Sequence, residues 1–221
     1  MIRSFSVGPI GENVYIIENP GAPLVIVDPG AEPDRILSEA LAAIARSSAP
    51  SVIVALTHGH LDHVAGLPGL LSGFAAAGTE VKTYAPEGDR DYFGERAKAT
   101  NERVFTSIGA MAFFRKHWID MPEADVYFGH GFSFPGTDVV ALHTPGHTRG
   151  SSCFLAESAS SLMAGDTLFR DGRGRTDNFD ADEATIVHSI RERLCPLHDA
   201  VRVWPGHGEQ TTIGHEKRYY R

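Results

Sequence analysis

Short apolar runs broken by glycine, proline and asparagine open the chain. Residues 3–7, 13–18 and 24–28 read as three strands joined by turns. Ile36, Leu37, Ala40, Leu41 and Ile44 then recur at helical spacing, with Pro33 near the start, and predict a helix. Val52-Ile53-Val54-Ala55-Leu56 is continuously apolar, as a strand buried on both faces would be. Further strands are expected at 80–85, 138–143, 152–156, 160–164 and 201–204. Asp182 is a good N-cap for a second helix over 182–194, with Ile186, Ile190 and Leu194 on one face. Two sets of strands with helices between them predict an α/β fold of two packed sheets with outer helices.

At 221 residues and 42% apolar composition, the chain suits one well-packed domain. No apolar stretch approaches the roughly 20 residues that cross a bilayer. Met1 to Phe5 lacks the apolar core of a signal peptide, so a cytoplasmic protein without membrane association is expected. The formal charge is −8, from 28 acidic and 20 basic residues, which disfavours a nucleic-acid partner. Cys153 and Cys195 form no Cys-x-x-Cys pair and read as buried, reduced thiols. Nothing in these features fixes an oligomeric state.

The chemistry concentrates in Thr57-His58-Gly59-His60-Leu61-Asp62-His63, directly after the buried strand. His58 and His60 are two apart, so an extended backbone points them the same way. Three further fragments set a His or Asp where an apolar strand gives way to a turn: Thr144-Pro145-Gly146-His147, Gly165-Asp166-Thr167-Leu168 and Pro205-Gly206-His207-Gly208. Glycine beside each such residue lets the backbone come close without a Cβ clash. The five histidines and two aspartates are enough for two metal ions with an open coordination position at each. Imidazole and carboxylate suit zinc and also iron, so the pattern identifies a site before an ion.

With these fragments in this order, and with Asn13-Val14-Tyr15 and Asp28-Pro29-Gly30 ahead of them, the chain resembles the metallo-β-lactamase superfamily, and within it the glyoxalase II-like hydrolases. The resemblance implies an αββα sandwich of two mixed β-sheets flanked by helices. It implies one metal held by His58, His60 and His147, a second held by Asp62, His63 and His207, and Asp166 bridging the two. Two divalent ions are expected, zinc first, with iron or manganese as alternatives. Asp62 and Asp166 are the expected catalytic carboxylates: Asp62 to bind metal and orient the nucleophile, Asp166 to hold the two cations together. Metal-bound hydroxide would attack, so no Ser or Cys takes a covalent role. Asp28 is expected to support the site rather than ligate, and Thr57, Thr144 and Thr167 to pin the motif loops through hydroxyl-to-backbone hydrogen bonds. His117, His130, His143, His188, His198 and His215 are left outside the site.

A single domain over 1–221 is expected, with a helical insertion at about 86–124. There Val104, Ile108, Met111 and Arg115 recur at helical spacing, and Phe105, Ala112, Phe113 and Phe114 thicken the apolar face. The expectation is that these aromatics pack onto the sandwich; the sharper alternative makes some of them a lid or one wall of an acyl-binding pocket. Gly174-Arg175-Thr176-Asp177 resembles a stretch found both in small glyoxalase II-like hydrolases and in persulfide dioxygenases, and a structural role for Arg175 and Asp177 is expected ahead of substrate contact.

The expected activity is hydrolysis of a small-molecule thioester or related activated ester. A lactonase would use the same seven ligands. An iron persulfide dioxygenase would use only His58, His147 and Asp166. Larger glyoxalase II members carry a C-terminal helical domain that helps grip glutathione. The residues after His207 resemble the shorter members, so strict glutathione specificity is not expected.

Overall fold

A computed structural model describes residues 1–220. Its first sheet pairs, in this order, β1 (Ile2–Val7), β2 (Glu12–Ile17), β3 (Leu24–Val27), β4 (Val52–Ala55), β5 (Val81–Pro86) and β6 (Val126–Phe128). The first three strands run antiparallel and β3 to β6 parallel. The second sheet contains β7 (Val139–His143), β8 (Ser152–Ala156), β9 (Ser161–Gly165), β12 (Arg202–Pro205) and β13 (Thr211–Thr212), ordered β13-β12-β9-β8-β7. A small hairpin, β10 (Leu168–Phe169) and β11 (Gly172–Arg173), stands apart from both.

Strand alternation builds three apolar layers. Tyr15, Ile17, Val25, Val27 and Ile53 face inward and meet Ala141, Phe154, Met163 and Trp204 of the second sheet. Their neighbours Val14, Ile16, Leu24, Ile26, Val52 and Val54 face outward, against helices α1 (Pro33–Ser47) and α3 (Leu67–Ala76). Cys153, Leu162, Ala164 and Val203 form the outer face of the second sheet, under Ile186, Ile190 and Leu194. The result is an αββα sandwich of two mixed sheets, as the strand and helix pattern anticipates.

Within α1 the inward face is Ile36, Ala40 and Ala43, while Leu41 lies at the surface. Asp182 caps α6 (Glu183–Ser189) by accepting from the Thr185 N–H at 2.7 Å. Beyond Ser189 the helix continues as a π-helical turn, Ile190–Leu194, so the expected 182–194 helix changes pitch halfway. Among the described residues no helix is long and apolar enough to cross a membrane.

Two features of topology create a site. β7, β9 and β12 run the same way, because two antiparallel pairings and one parallel pairing link them. Their C-terminal ends meet those of β3 and β4 at one edge of the sandwich, where connecting loops carry reactive groups on a rigid frame. A short helix α2 (Leu61–Val64) follows β4 there, and the helices α4 (Ala97–Ser107) and α5 (Met111–His117) overhang the same edge.

Candidate metal centre

The loop after β4 bears His58 and His60 extended, then turns into α2 with Asp62 and His63. The loops after β7, β9 and β12 bring His147, Asp166 and His207. All seven residues converge. The donor atoms of His58, His60 and His147 lie within 4.8 Å of one another, and so do those of Asp62, His63 and His207. Asp166 lies between the two groups: Oδ1 is 3.3 Å from His63 Nε2, and Oδ2 is 3.6 Å from His147 Nε2 and 3.9 Å from His207 Nε2. Asp62 Oδ2 is 3.1 Å from His207 Nε2 and 3.6 Å from His63 Nε2.

The surroundings fix which ring nitrogen faces inward. His63 Nδ1–H donates to Asp28 Oδ2 at 2.9 Å, and His147 Nδ1–H donates to the Arg175 carbonyl at 2.9 Å. The Thr57 hydroxyl donates to Asp28 Oδ2 at 2.6 Å, so its oxygen accepts from His58 Nδ1–H at 3.0 Å. A proton held on Nδ1 leaves the Nε2 lone pair free for a cation. The Nε2 atoms of His58, His60, His63 and His147, with Asp166 Oδ1, are buried and have no hydrogen-bond partner among the described residues. Buried polar atoms are otherwise almost always satisfied. Five orphans shared between two neighbouring donor groups, all nitrogen and carboxylate oxygen, fit divalent metal ions.

For His58 and His60 the electrostatics favour the neutral, ligating form; for His63 the facing carboxylates favour the proton that a cation would have to displace. Burial first, then neighbouring His63, His60 and His147, holds His58 well below the usual imidazole range. Burial and then His147 push His60 down to about 3. Burial would also lower His63, but Asp166 and Asp62 outweigh it and raise it well above that range. Asp62 is held low although burial opposes this, by His63 and the His207 hydrogen bond.

Asp28 takes the supporting role expected of it, at a cost in backbone strain: its φ is +52°, a region that non-glycine residues seldom occupy. Asn13 Nδ2 donates to the Pro205 and Gly208 carbonyls at 3.0 Å each, and the Tyr15 hydroxyl donates to the Pro205 carbonyl at 2.5 Å, which pins the His207 turn. Gly206 is required there, since a Cβ would run into Asp166 Oδ1 and the His63 ring. The threonines meet expectation only in part: the Thr144 hydroxyl donates to the Ser151 carbonyl at 3.4 Å. Thr57 bonds a carboxylate rather than backbone, and Thr144 and Thr167 bond chiefly each other at 2.9 Å. Arg175 and Asp177 pair through two bonds of 2.6 and 2.8 Å at the surface, not in the interior.

Asp89 escaped the sequence reading. It is buried, and its Oδ2 accepts from the Gly59 N–H at 2.9 Å and from the Thr148 hydroxyl at 2.7 Å, its Oδ1 from the Gly150 N–H at 2.6 Å. One carboxylate therefore ties the His58–His60 loop to the His147 loop. Burial pushes it up to about 7, against the pull of those three donors. Residues that hold ligand loops typically change metal affinity about 10–100-fold when removed. We expect Asp89→Ala to weaken metal binding by about that factor in competition with a chromogenic chelator; unchanged affinity would mean the two loops need no clamp. Glu12 was also missed. Among the described residues neither of its buried oxygens has a hydrogen-bond partner, Oε1 lies 4.0 Å from His63 Nδ1, and burial raises it well above the usual carboxylate range.

Of the histidines left outside, His143 Nε2 meets the Arg149 carbonyl at 2.9 Å, and His215 pairs with Asp171 at 2.7 Å. Neither approaches the seven donors.

The aromatic segment divides. Phe114 is buried in the layer outside the first sheet. Val104 and Phe105 are buried in that same layer, with Ile108 and Phe113 packed against it, and these four also line a cavity of about 460 Å³ that opens onto His60, Asp62, His147, Asp166 and His207. Both expectations therefore hold for these four: they pack onto the sandwich and they form a wall of the cavity.

The description of the metallo-beta-lactamase superfamily matches residues 7–207. A hydroxyacylglutathione hydrolase, GloC, of Haemophilus influenzae is 33% identical over 207 residues, 94% of this chain and 90% of its own. A probable metallo-hydrolase of Streptococcus pyogenes is 32% identical over 94% of this chain and 83% of its own. Among solved structures, the BLEG-1 B3 metallo-beta-lactamase superimposes with a TM-score of 0.81 at 25% identity, covering 99% of this chain and 97% of its own. TTHA1623, in a di-iron-bound form, gives 0.75 at 29% identity, covering 98% and 97%. Sandwich, ligand loops and sequence likeness over nearly the whole length converge on one conclusion: this chain belongs to the metallo-beta-lactamase superfamily.

Proposed function

We propose that this metal-dependent hydrolase is dinuclear and cleaves a thioester or related activated ester. The observation that carries the reading is the pair of donor groups, His58/His60/His147 and Asp62/His63/His207, with Asp166 facing both. The name of the 33% identical relative, hydroxyacylglutathione hydrolase, supports the thioester. Zinc is our first choice of ion, with iron next, since a di-iron form of a similar structure is known.

When bound, the two ions would polarise the carbonyl and bring the pKa of water down to about 7. The protein does the rest. Thr57, Asp28 and the Arg175 carbonyl keep three imidazoles in the tautomer that can ligate. We assign Asp166 the role of offsetting charge between the two groups, and Asp62 that of orienting the attacking water and taking its proton. The water oxygen joins the acyl carbon, the carbon–sulfur bond breaks, and the thiol leaves with a proton. A lactone is a cyclic ester and would suit the same donors; the apolar wall of Val104, Phe105, Ile108 and Phe113 is what favours it as a second reading. A cytoplasmic location and a small-molecule substrate, without nucleic acid, belong to the same proposal.

Elemental analysis of freshly purified protein, prepared without chelators, should find two divalent ions per chain. The same protein should turn over members of a panel of thioesters, esters and lactones. Inactivity across the whole panel would overturn the hydrolase. One iron per chain with oxygen uptake on a persulfide would replace it with the dioxygenase.

A further inference from the structure

The cavity above the donors is lopsided. Its lining combines the donors with an apolar lobe of Val104, Phe105, Ile108, Phe113 and Ile10, and Phe169 stands beside His207 with 6.4 Å between ring centroids. The Phe105 and Phe113 rings stack with 5.8 Å between centroids and 13° between planes, so they present a continuous apolar surface. Phe113 and Ile108 are only partly buried, and Ile10 is 53% exposed at the rim. Such exposure of several large apolar groups beside a reactive centre marks a ligand surface more often than a packing defect.

The charges lie elsewhere. Arg175 is the one lysine or arginine among the lining residues, it stands with Asn178, and its guanidinium is engaged by Asp177 through two hydrogen bonds. A charged group buried in the apolar lobe would lose its hydration with nothing to replace it. A thiol such as glutathione, which carries ionised groups, is therefore kept out of the lobe and at the polar mouth.

We infer that the substrate's acyl group is an uncharged hydrocarbon chain or ring that fills the lobe between Ile10, Phe113 and Phe105, rather than a short hydroxyacyl group. This rests on the thioesterase reading and narrows it. The carbonyl sits over the donors and the acyl tail runs under α4 and α5. Each methylene placed in the lobe leaves water for an apolar wall.

The test uses the zinc-loaded full chain and two thioester series. One lengthens the acyl group on N-acetylcysteamine from acetyl through butanoyl and hexanoyl to octanoyl. The other lengthens the thiol on a constant acetyl group. In the first, kcat/KM should climb about fourfold per methylene until the lobe is full, the factor that burial of one methylene supplies; in the second it should stay flat. Phe113→Ala should cut the hexanoyl-to-acetyl ratio by about tenfold. Calorimetry gives a readout apart from turnover: hexanoate, four methylenes longer, should bind the same protein tighter than acetate by up to about 250-fold, by the same burial. Turnover with no acyl-length dependence, or a slope on the thiol side, would overturn the inference and leave the hydrolase standing. Absence of turnover throughout, acetyl included, would remove the thioesterase, and equal binding of hexanoate and acetate would then remove the apolar lobe as well. Should Phe113→Ala unfold, Ile108→Glu at the partly exposed wall should lower the same ratio, and an unchanged ratio would count against the lobe.

Discussion

Stripping the protein with a strong chelator is expected to abolish turnover and to lower its melting temperature by roughly 10 °C, both reversed by zinc. The argument starts from the five orphaned atoms, His58, His60, His63 and His147 Nε2 and Asp166 Oδ1. Each unsatisfied buried polar atom costs about 1–3 kcal/mol. The His58 ring centroid is 4.1 Å from that of His63 and 4.8 Å from that of His60, so without a cation the lone pairs confront one another. An ion turns that repulsion into coordination. At a free concentration about a thousand times Kd, the linkage contributes about 4 kcal/mol, and a chain of this size shifts about 2–4 °C per kcal/mol. Scanning calorimetry of the stripped and reloaded protein measures the shift. Coincident melting curves would mean the seven side chains make a cluster that no metal stabilises.

Much of this centre is legible in the sequence because its parts are local. Each fragment of expected ligands starts at the end of a strand, with Asp62 and His63 carried on by the short helix α2, so the strand fixes where the loop starts and the glycine fixes how closely it approaches. The seven expected ligands need only the topology to bring them together. What stayed hidden depends on distance along the chain or on direction around a helix. α3 was not anticipated, since Pro68, Gly69 and Gly73 read as breakers and its apolar residues lack a polar face to set the period. β6 is only three residues long, too short for alternation to register. Asp89 is 30 residues from Gly59 and 61 from Gly150, and nothing near it announces a role. In α5, Phe113 and Phe114 are consecutive and equally apolar; only packing decides that Phe114 turns into the core and Phe113 into the cavity. Pattern gives the amphipathic helix, and the third dimension assigns its faces.

Asp62→Ala is expected to lower kcat by about 10³-fold, the range seen when a positioned proton acceptor is lost. Asp62 Oδ2 lies 3.1 Å from His207 Nε2, and α2 holds it one residue from His63. Removal leaves His63 and His207 to form the second group alone, while His58, His60 and His147 keep their own geometry and their partners Thr57 and the Arg175 carbonyl. The metal content should therefore fall from two ions toward one, and the remaining ion should resist the chelator as before. Asp62→Asn separates the two roles. The amide retains one oxygen to ligate but loses the charge that would accept a proton, so it should restore more of the second ion than of the rate. Stoichiometry and kcat measured on the same preparations decide between them. An Asp62→Ala protein that keeps its rate would remove Asp62 from the chemistry. One that loses both ions together would show that the two groups fill as a unit, held by the carboxylate of Asp166 that faces each of them.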